Sequence, residues 1–229
     1  MRFLLPALLL LPVPASAGER SFQVPTFERV RVEGLYQVEI TTGPSATARA
    51  EGDAAALDRL DVHVDGTTLI ISADNNTWGS GGAPSIARVI LRVQRLRAVT
   101  VNGGGRVRID RMEGPRADIG LNGSGAIRVA GIAVEDALAT LTGTGAITLA
   151  GKATRARIRS AGAGSVDASG LVAGDGTVIA ESSGPTSLSG LHTVQIMALG
   201  SGGVEIGGTP ECRISGPGPV TCAGKIVRK

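Results

Sequence analysis

The chain has 229 residues and a nearly balanced charge, with 23 Lys and Arg against 20 Asp and Glu and a formal net charge of +3 at pH 7. This balance argues against a nucleic-acid-binding protein, although the sequence pI is about 9.3. Gly accounts for 34 residues and aromatic residues for 2% of the chain, and this glycine density excludes a helical repeat protein.

Residues 1–17 are predicted to be a cleaved signal peptide. Arg2 supplies a minimal positive region, residues 3–13 form a short apolar core, and residues 15–17 read Ala-Ser-Ala, which matches the small-x-small cleavage pattern. The apolar run is too short to span a bilayer. The mature chain is therefore expected to form a single domain, 18–229, that works outside the cytoplasm, in the periplasm, at the cell surface or as a secreted protein.

Residues 18–98 are predicted to form opening or capping strands. The segments 'RVRVEGLYQVEITTG', 'LDVHVDGTTLIIS' and 'IARVILRVQ' alternate apolar and polar residues, as half-buried strands do. Residues 73–85 form a loop by composition. Trp78 in this loop is a candidate anchor for a sugar ring or a partner protein; the alternative is that it folds back onto the cap.

Residues 99–224 repeat a glycine-rich phrase at a nearly constant interval. Successive Gly-x-Gly pairs, one of which begins with Ser182, are 20, 20, 19, 20, 18 and 16 residues apart. The glycines assigned to structural corners are Gly103, Gly105, Gly123, Gly125, Gly143, Gly145, Gly162, Gly164, Gly184, Gly200, Gly202, Gly216 and Gly218. Each pair sits between two stretches in which every second residue is apolar or small, so one set of side chains is buried and the other faces solvent.

Two strands, a glycine corner and a looser return make a coil of about 20 residues, which buries its apolar face only when coils stack. The predicted fold is all-β, a parallel β-helix, with a β-solenoid of another cross-section as the alternative. Leucine-rich repeats need a leucine ladder and propeller blades an aromatic signature, and the chain has neither.

The C-terminal coil contains the only two cysteines, Cys212 and Cys222, on its predicted inward columns. In an exported protein such a pair predicts a disulfide. Together with nearby prolines and a basic tail at 225–229, the disulfide would blunt the open edge of the last strand.

The outward columns show no catalytic pattern. One column reads Arg108, Arg128, Thr148, Asp167, Ser187, Glu205 and Thr221, and another reads Ala98, Asp118, Leu138, Arg157, Thr177, Gln195 and Glu211. Neither places two carboxylates in neighbouring coils, as paired acid–base hydrolysis favours. The two histidines, His63 and His192, lie in dissimilar segments, so no metal site and no cofactor are predicted.

Arginines crowd the start of the coils, and Arg106, Arg108 and Arg128 are predicted to project outward on adjacent coils. Their mutual repulsion would be relieved by an anionic partner, such as an envelope polysaccharide or lipid headgroups. The alternative is a solvated basic face that is partly paired with nearby carboxylates, namely Asp110, Glu113 and Asp118.

The opening 'FERVRVEGLYQVEITTG', the following 'LDVHVDGTTLIIS' and the coils at Gly103-Gly104-Gly105, Gly123-Ser124-Gly125 and Gly143-Thr144-Gly145 resemble a bacterial family, the "putative autotransporter adhesin head GIN domain". The resemblance covers most of residues 22–224. It implies a right-handed parallel β-helix in an exported envelope protein and brings no catalytic residues.

The functional hypothesis is therefore a non-enzymatic, adhesin-like exported module that contacts an unknown envelope polysaccharide, lipid headgroup or surface protein. One alternative is a polysaccharide-active β-helical enzyme with a carboxylate cluster near Asp167, Glu181 and Glu205. The other is a periplasmic scaffold whose partner is another envelope protein.

Overall fold

The computed structural model describes residues 18–73 and 86–228, which form seventeen strands and one short helix. In chain order these are β1 (Gly18–Phe22), β2 (Arg29–Glu33), β3 (Gln37–Thr42), β4 (Thr47–Gly52), α1 (Ala54–Asp58), β5 (Leu60–Asp65), β6 (Thr68–Ala73), β7 (Arg88–Val93), β8 (Ala98–Gly103), β9 (Arg106–Gly123), β10 (Ala126–Gly143), β11 (Ala146–Gly162), β12 (Ser165–Ser182), β13 (Thr186–Ala198), β14 (Val204–Gly208), β15 (Glu211–Ser215), β16 (Val220–Cys222) and β17 (Lys225–Arg228).

Most of these strands stack in parallel as the coils of one β-helix. Each coil has a first side that precedes the glycine corner, as β8 does, and a second side that follows the corner, as residues 106–109 do. A third side, typified by residues 111–116, returns the chain to the next coil. The long strands β9, β10 and β11 pair in parallel along all three sides, which confirms the predicted parallel β-helix.

The core is built from the inward columns that the alternation predicts. On the first side Val99, Ile119 and Ala139 are paired in succession and are all buried. Two of the three buried polar residues of the described chain, Ser160 and Thr186, have hydroxyl oxygens 3.2 Å apart, within hydrogen-bonding distance. Because each hydroxyl has a partner, the core holds both without an unpaired polar group.

The glycine corners are the places where successive coils approach most closely. Gly143 has a φ of +118°, and a Cβ atom at this position would lie 2.5 Å from the Gly123 carbonyl oxygen of the preceding coil. That oxygen accepts hydrogen bonds from Thr144 N at 3.0 Å and Gly145 N at 2.9 Å, which hold the two coils together. Only a residue without a side chain fits such a corner.

Ser182 occupies one position in this glycine column. Its hydroxyl donates to the Gly164 carbonyl at 2.9 Å and accepts from Gly184 N at 2.9 Å. Within the described chain every residue with positive φ is a glycine, so the corner at Ser182 has a different backbone conformation from the corner at Gly143. The serine hydroxyl supplies hydrogen bonds that stabilise this second type of corner.

The sequence-based columns are wrong by two residues on the first side of the last complete coil. Cys212 pairs with Val194 and Ile214 pairs with Ile196, whereas the glycine spacing placed Cys212 beside Ile196. Cys212 is nevertheless buried, because a shift of two residues leaves a strand's inward and outward faces unchanged.

The cause of this shift is a shorter final corner. On the second side the predicted columns are correct, since Val220 pairs with Val204. The corner between β15 and β16 is therefore two residues shorter than the corner before it. Gly218 consequently lies over Gly200, and not over Gly202 as the sequence predicted.

The predicted disulfide is present. Cys212 and Cys222 are joined with a Cα–Cα distance of 6.5 Å, and the bond links β15 to β16. Within the predicted basic tail, Lys225–Arg228 forms β17, which pairs in parallel with β15. The ladder on the first side therefore continues one strand beyond the disulfide.

The N-terminal region breaks the chain order of the coils. Strands β2 and β3 form a parallel coil that lies between β6 and β7 on one side and β8 and β9 on the other. Beyond it the pairing becomes antiparallel, in β5 with β6, β7 with β4 and β4 with β1. These strands cap the ladder, as the sequence predicted for residues 18–98.

A charged side chain covers the end of the core at β1. Arg20 pairs with the buried residue Ala50, donates a hydrogen bond to the Leu57 carbonyl at 3.1 Å, and lies 5.0 Å from the centre of the Phe22 ring. A charged residue on the core-facing side of an edge strand is a common protection against edge-to-edge pairing.

Across residues 18–73 and 86–228, no helix is long and apolar enough to cross a membrane.

Candidate binding faces

The outward column of the second side is built as the sequence predicted. Backbone pairing joins Arg108 to Arg128 and continues through Thr148, Asp167, Ser187 and Glu205 to Thr221. Each step of this column spans about 4.8 Å, the spacing of paired strands. On its N-terminal side Arg108 pairs with Glu39, so a carboxylate precedes the two arginines.

Arg106, Arg108 and Arg128 are exposed. Within the described part of the chain none of them forms an ion pair. Glu39 does not neutralise Arg108, because its carboxylate is bound by Arg88 at 2.7 Å. Arg106 lies two residues before Arg108, in line with Gln37 and Ala126. The three guanidinium groups thus form a small cationic cluster, which we call the arginine face.

Other arginines of the same region have carboxylate partners. Arg111 contacts Glu113 at 3.2 Å, and Arg116 contacts Asp118 at 2.7 Å. Asp110, expected to pair with an arginine side chain, instead accepts hydrogen bonds from the Thr42 backbone and hydroxyl. The alternative of a solvated, partly paired basic surface describes these residues, whereas the arginines of the arginine face are exposed and have no ion pair within the described chain.

Further along the column the charge changes sign at Asp167. Hydrogen bonds from the Ser169 hydroxyl at 2.6 Å, the Ser169 backbone at 3.1 Å and the Ser187 hydroxyl at 2.9 Å lower the pKa of the Asp167 carboxyl. The positive charge of Arg128 contributes in the same direction. The second side is thus positive at one end and negative at the other.

The three carboxylates of the enzyme alternative do not lie together. Asp167 and Glu205 share a column on the second side but are separated by Ser187. Glu181 lies on the first side, in line with Ala161. Asp167 and Glu205 are thus two strand spacings, or about 10 Å, apart along one column, and Glu181 lies on a different side of the coil.

The histidines also lie apart. His63 is on the capping strand β5, where its Nδ1 lies 2.7 Å from an Asp61 carboxylate oxygen, while His192 is on β13. Among the residues described, no group of His, Cys, Asp or Glu could hold a metal ion.

The sequence columns missed a ladder of charges where the third side meets the first. Backbone pairing aligns Arg116, Asp136, Arg155, Asp175, Thr193, Glu211 and Lys225. Arg155 binds Asp136 through two hydrogen bonds, of 2.7 and 2.8 Å, and these lower the pKa of the Asp136 carboxyl. Alternating charge signs at the repeat spacing were the signal that could have revealed it.

The sequence assigned one residue, Glu211, to the wrong outward column. Gln195 pairs with Arg213 rather than with Glu211, which follows from the two-residue shift of the last coil. Trp78, the other candidate binding residue, lies outside the described residues, as do the predicted signal peptide and most of the predicted loop.

Side chains displayed in stacked columns around one continuous core define a parallel β-helix protein whose chemistry lies on its outer faces. The chain belongs to the family described as "Putative auto-transporter adhesin, head GIN domain", whose sequence profile matches residues 26–210. That range includes both the N-terminal region and the regular coils. The family makes the protein adhesin-like, and the family and the disulfide together indicate an exported protein.

Solved structures share the fold at low sequence identity. A "putative adhesin" from Bacteroides fragilis has a TM-score of 0.79 and 18% identity, with 93% of this chain and 97% of that chain covered. A "putative lipid binding protein" from Parabacteroides distasonis has a TM-score of 0.67 and 18% identity, with 94% and 98% covered. A "putative adhesin" from Parabacteroides merdae has a TM-score of 0.62 and 12% identity, with 94% and 97% covered. No curated protein is significantly similar in sequence.

Proposed function

We propose that the protein is a non-enzymatic, exported binding module that contacts an anionic partner through the arginine face. The observation that carries this proposal is the clustering of Arg106, Arg108 and Arg128 without ion pairs in the described chain, beside arginines of the same coils that have them. Like charges about 5 Å apart repel, and a bound anion relieves that repulsion.

The partner is an anionic polysaccharide of the envelope or of an extracellular surface, recognised by charge. Residues 86–229 contain no Phe, Tyr or Trp, so sugar rings have no aromatic side chain on the coils to stack against. A fixed row of guanidinium groups suits carboxylate or sulfate groups, which accept hydrogen bonds from arginine in pairs. The adhesin-like description of the family supports contact with such a surface.

The test compares two triple variants in binding to immobilised polygalacturonate, with neutral dextran as the blank. Replacing Arg106, Arg108 and Arg128 by Gln is expected to weaken binding at least tenfold and to reduce its salt dependence, because the direct charge contacts are lost. The matched control replaces Arg97, Arg111 and Arg116 by Gln. It removes the same net charge from arginines that already have carboxylate partners. This control should therefore weaken binding less than threefold.

Equal weakening by the two triple variants would show that net charge, and not the arginine face, governs binding. Retained binding in both would refute the proposal for this class of partner. Phosphatidylglycerol vesicles carry the same sign of charge on a lipid surface, and one relative by fold is described as lipid-binding. Binding to these vesicles but not to polygalacturonate would move the assignment to lipid headgroups.

We further propose that the protein is displayed at the cell surface, where an adhesin-like module meets its partner. Protease treatment of intact cells, with lysed cells as the control, tests this location. Cleavage on intact cells is the expected result. Cleavage only after lysis would place the protein in the periplasm and favour the alternative of a scaffold that contacts another envelope protein.

A further inference from the structure

An apolar groove lies on the first side, near the C-terminal end of the coils. Its volume is about 560 Å³, within the range of small-molecule sites. Ile179, Met197 and Val227 supply its apolar surface, and Ser215 follows Met197 in the same outward column. The small serine side chain leaves the space beside Met197 open.

Val227 lies in the outward column of Gln195 and Arg213. Ile179 and Met197 share the next outward column, whose positions in the preceding regular coils are polar or small. The earlier coils place Thr100, Gly120 and Thr140 there, and only the later coils place Ile179 and Met197. Met197 is 45% exposed and the neighbouring Leu199 is 50% exposed. A group of exposed large apolar side chains in one place commonly marks a binding surface.

The N-terminal end of the groove adjoins two arginines. Arg159 pairs with Ile179 and Arg157 pairs with Thr177, each one strand away. Both arginines are exposed, and neither makes an ion pair within the part of the chain that the structure describes. The neighbouring Arg155, by contrast, is held by Asp136.

We propose that this groove binds an amphiphile with one long hydrocarbon chain and an anionic head. The hydrocarbon chain lies across Ile179, Met197 and Val227, and the head is bound by Arg157 and Arg159. From the strand of the two arginines to β17 the site spans four strand spacings, or about 19 Å. Arg159 thus shares a column with Ile179 and Met197, and Arg157 shares the neighbouring column with Val227, so positive charge adjoins one end of the apolar surface. This site is on the first side and is distinct from the arginine face on the second.

The probe is dodecyl phosphate, titrated below its critical micelle concentration and followed by calorimetry. We expect saturable binding of one molecule with a negative heat-capacity change, because apolar surface is buried. Inorganic phosphate supplies the head without the chain, and dodecyl maltoside supplies the chain without the charge. Each is expected to bind at least tenfold more weakly than dodecyl phosphate.

Two variants and two matched controls locate the site. Met197→Ser is expected to weaken binding about tenfold through the loss of buried apolar surface, and the double variant Arg157→Gln/Arg159→Gln by a similar factor. Leu35→Ser removes another exposed leucine far from the groove, and Arg97→Gln/Arg111→Gln removes two arginines that have carboxylate partners. Neither control should change the affinity by more than twofold. Thermal melting confirms that every variant is folded.

Several results would overturn the proposal. Unchanged affinity in both groove variants would place the ligand elsewhere, and equal affinity for inorganic phosphate would remove the role of the hydrocarbon chain. Binding to phosphatidylglycerol vesicles without binding to monomeric dodecyl phosphate would make the groove a membrane contact. A dimer in sedimentation experiments that dissociates in Met197→Ser would make the occupant a second copy of the chain.

Discussion

The regular coils and the N-terminal region both stack strands over one core, but they pair those strands in different ways. From β8 to β13 the strands stack in chain order and in parallel. In the N-terminal region, one coil is inserted between strands that come later in the chain, and the outermost pairs are antiparallel. A periodic sequence thus propagates a ladder, whereas ending the ladder needs a different local structure.

The physical reason lies in the geometry of connections. A parallel strand pair requires the chain to travel around a whole coil, whereas an antiparallel pair is closed by a short turn. Gly66 and Thr67 form such a turn between β5 and β6. The β5–β6 hairpin and the antiparallel pairs of β7 with β4 and of β4 with β1 thus end the parallel stack, and the charged Arg20 on the inward face of β1 discourages a further strand.

The largest loss of stability is expected when a glycine corner is given a side chain. Gly143→Ala should lower the free energy of unfolding by about 3 kcal/mol or more, because it combines an unfavourable φ with a Cβ that would lie 2.5 Å from the Gly123 oxygen. Denaturant titration measures the change. The same overlap with a carbonyl oxygen of the preceding coil recurs at Gly123, Gly162 and Gly216, whereas a Cβ at Gly66 in the β5–β6 hairpin would meet nothing within 4 Å.

Two other glycines separate the cost of backbone strain from the cost of close approach between coils. Gly114 has a φ of +127° with open space around it, so Gly114→Ala should cost about 1 to 2 kcal/mol from backbone strain alone. Gly203 has open space and no positive φ, and Gly203→Ala should change stability little. If Gly143→Ala is no worse than Gly114→Ala, close approach between coils is not what the corner glycines serve.

A smaller loss is expected from reduction of the disulfide. The bond closes a sequence separation of 10 residues, which corresponds to about 3 kcal/mol on the loop-entropy relation. Because coils contact only their neighbours, the loss should be confined to the end of the stack. Hydrogen exchange should rise in β16 and β17 and remain slow in β9.

The Cys212→Ser/Cys222→Ser variant, with and without reductant, controls for reductant effects. Faster exchange throughout the chain after reduction would mean that the coils unfold as one unit. The regular coils and the terminal strands would then differ in strand pairing but not in stability.

A loss of stability smaller than that from disulfide reduction is expected in the N-terminal region. The Asp53 carboxylate caps α1 by accepting a hydrogen bond from Ala56 N at 2.7 Å. Asp53→Ala should therefore cost about 1 kcal/mol, with faster hydrogen exchange in α1 and β5 but not in β11. Asp53→Asn retains an acceptor and should lose less. Equal losses in the two variants would assign the effect to charge and not to the cap.

The smallest effect concerns acid stability on the second side. Because its pKa is lowered in the folded state, Asp167 contributes stability above the ordinary carboxyl pKa, near 4, and this contribution disappears as the pH falls through the lowered value. Ser169→Ala should raise the pKa of Asp167 toward its ordinary value in a carboxyl NMR titration. The stability change should stay below about 1 kcal/mol, since the exposed carboxylate is screened.

Ser124→Ala, at an exposed corner, is the control and should leave that pKa unchanged. An unaltered Asp167 titration in Ser169→Ala would show that the hydrogen bonds from Ser169 do not hold the carboxylate. The lowered pKa of Asp167 would then depend on the Ser187 hydroxyl and the charge of Arg128.

The sequence predicted the coils well because their contacts repeat. Val99, Ile119 and Ala139 are inward and paired as the alternation required, and the column from Arg108 to Thr221 is aligned throughout. The prediction failed at Cys212, which is shifted by two residues, because the glycine spacing alone does not reveal where a shortened corner loses its residues.

The candidate sites were predictable only in part, because they depend on contacts between residues far apart in the chain. The sequence indicated that Arg106, Arg108 and Arg128 project outward, but their lack of carboxylate partners depends on Glu39, a residue of a distant strand that binds Arg88 instead. The apolar groove was missed because it joins residues of β12, β13 and β15 with Val227 of β17, and the sequence predicted no strand in the basic tail.

By itself, the sequence determined the repeat, the inward and outward faces and the disulfide, because strand alternation and close glycine corners are local properties copied from coil to coil. Only the tertiary structure decided the position of the β2–β3 coil, the register of the last coil and the partners of the exposed charges. These depend on contacts between segments far apart in the chain, which no local pattern records.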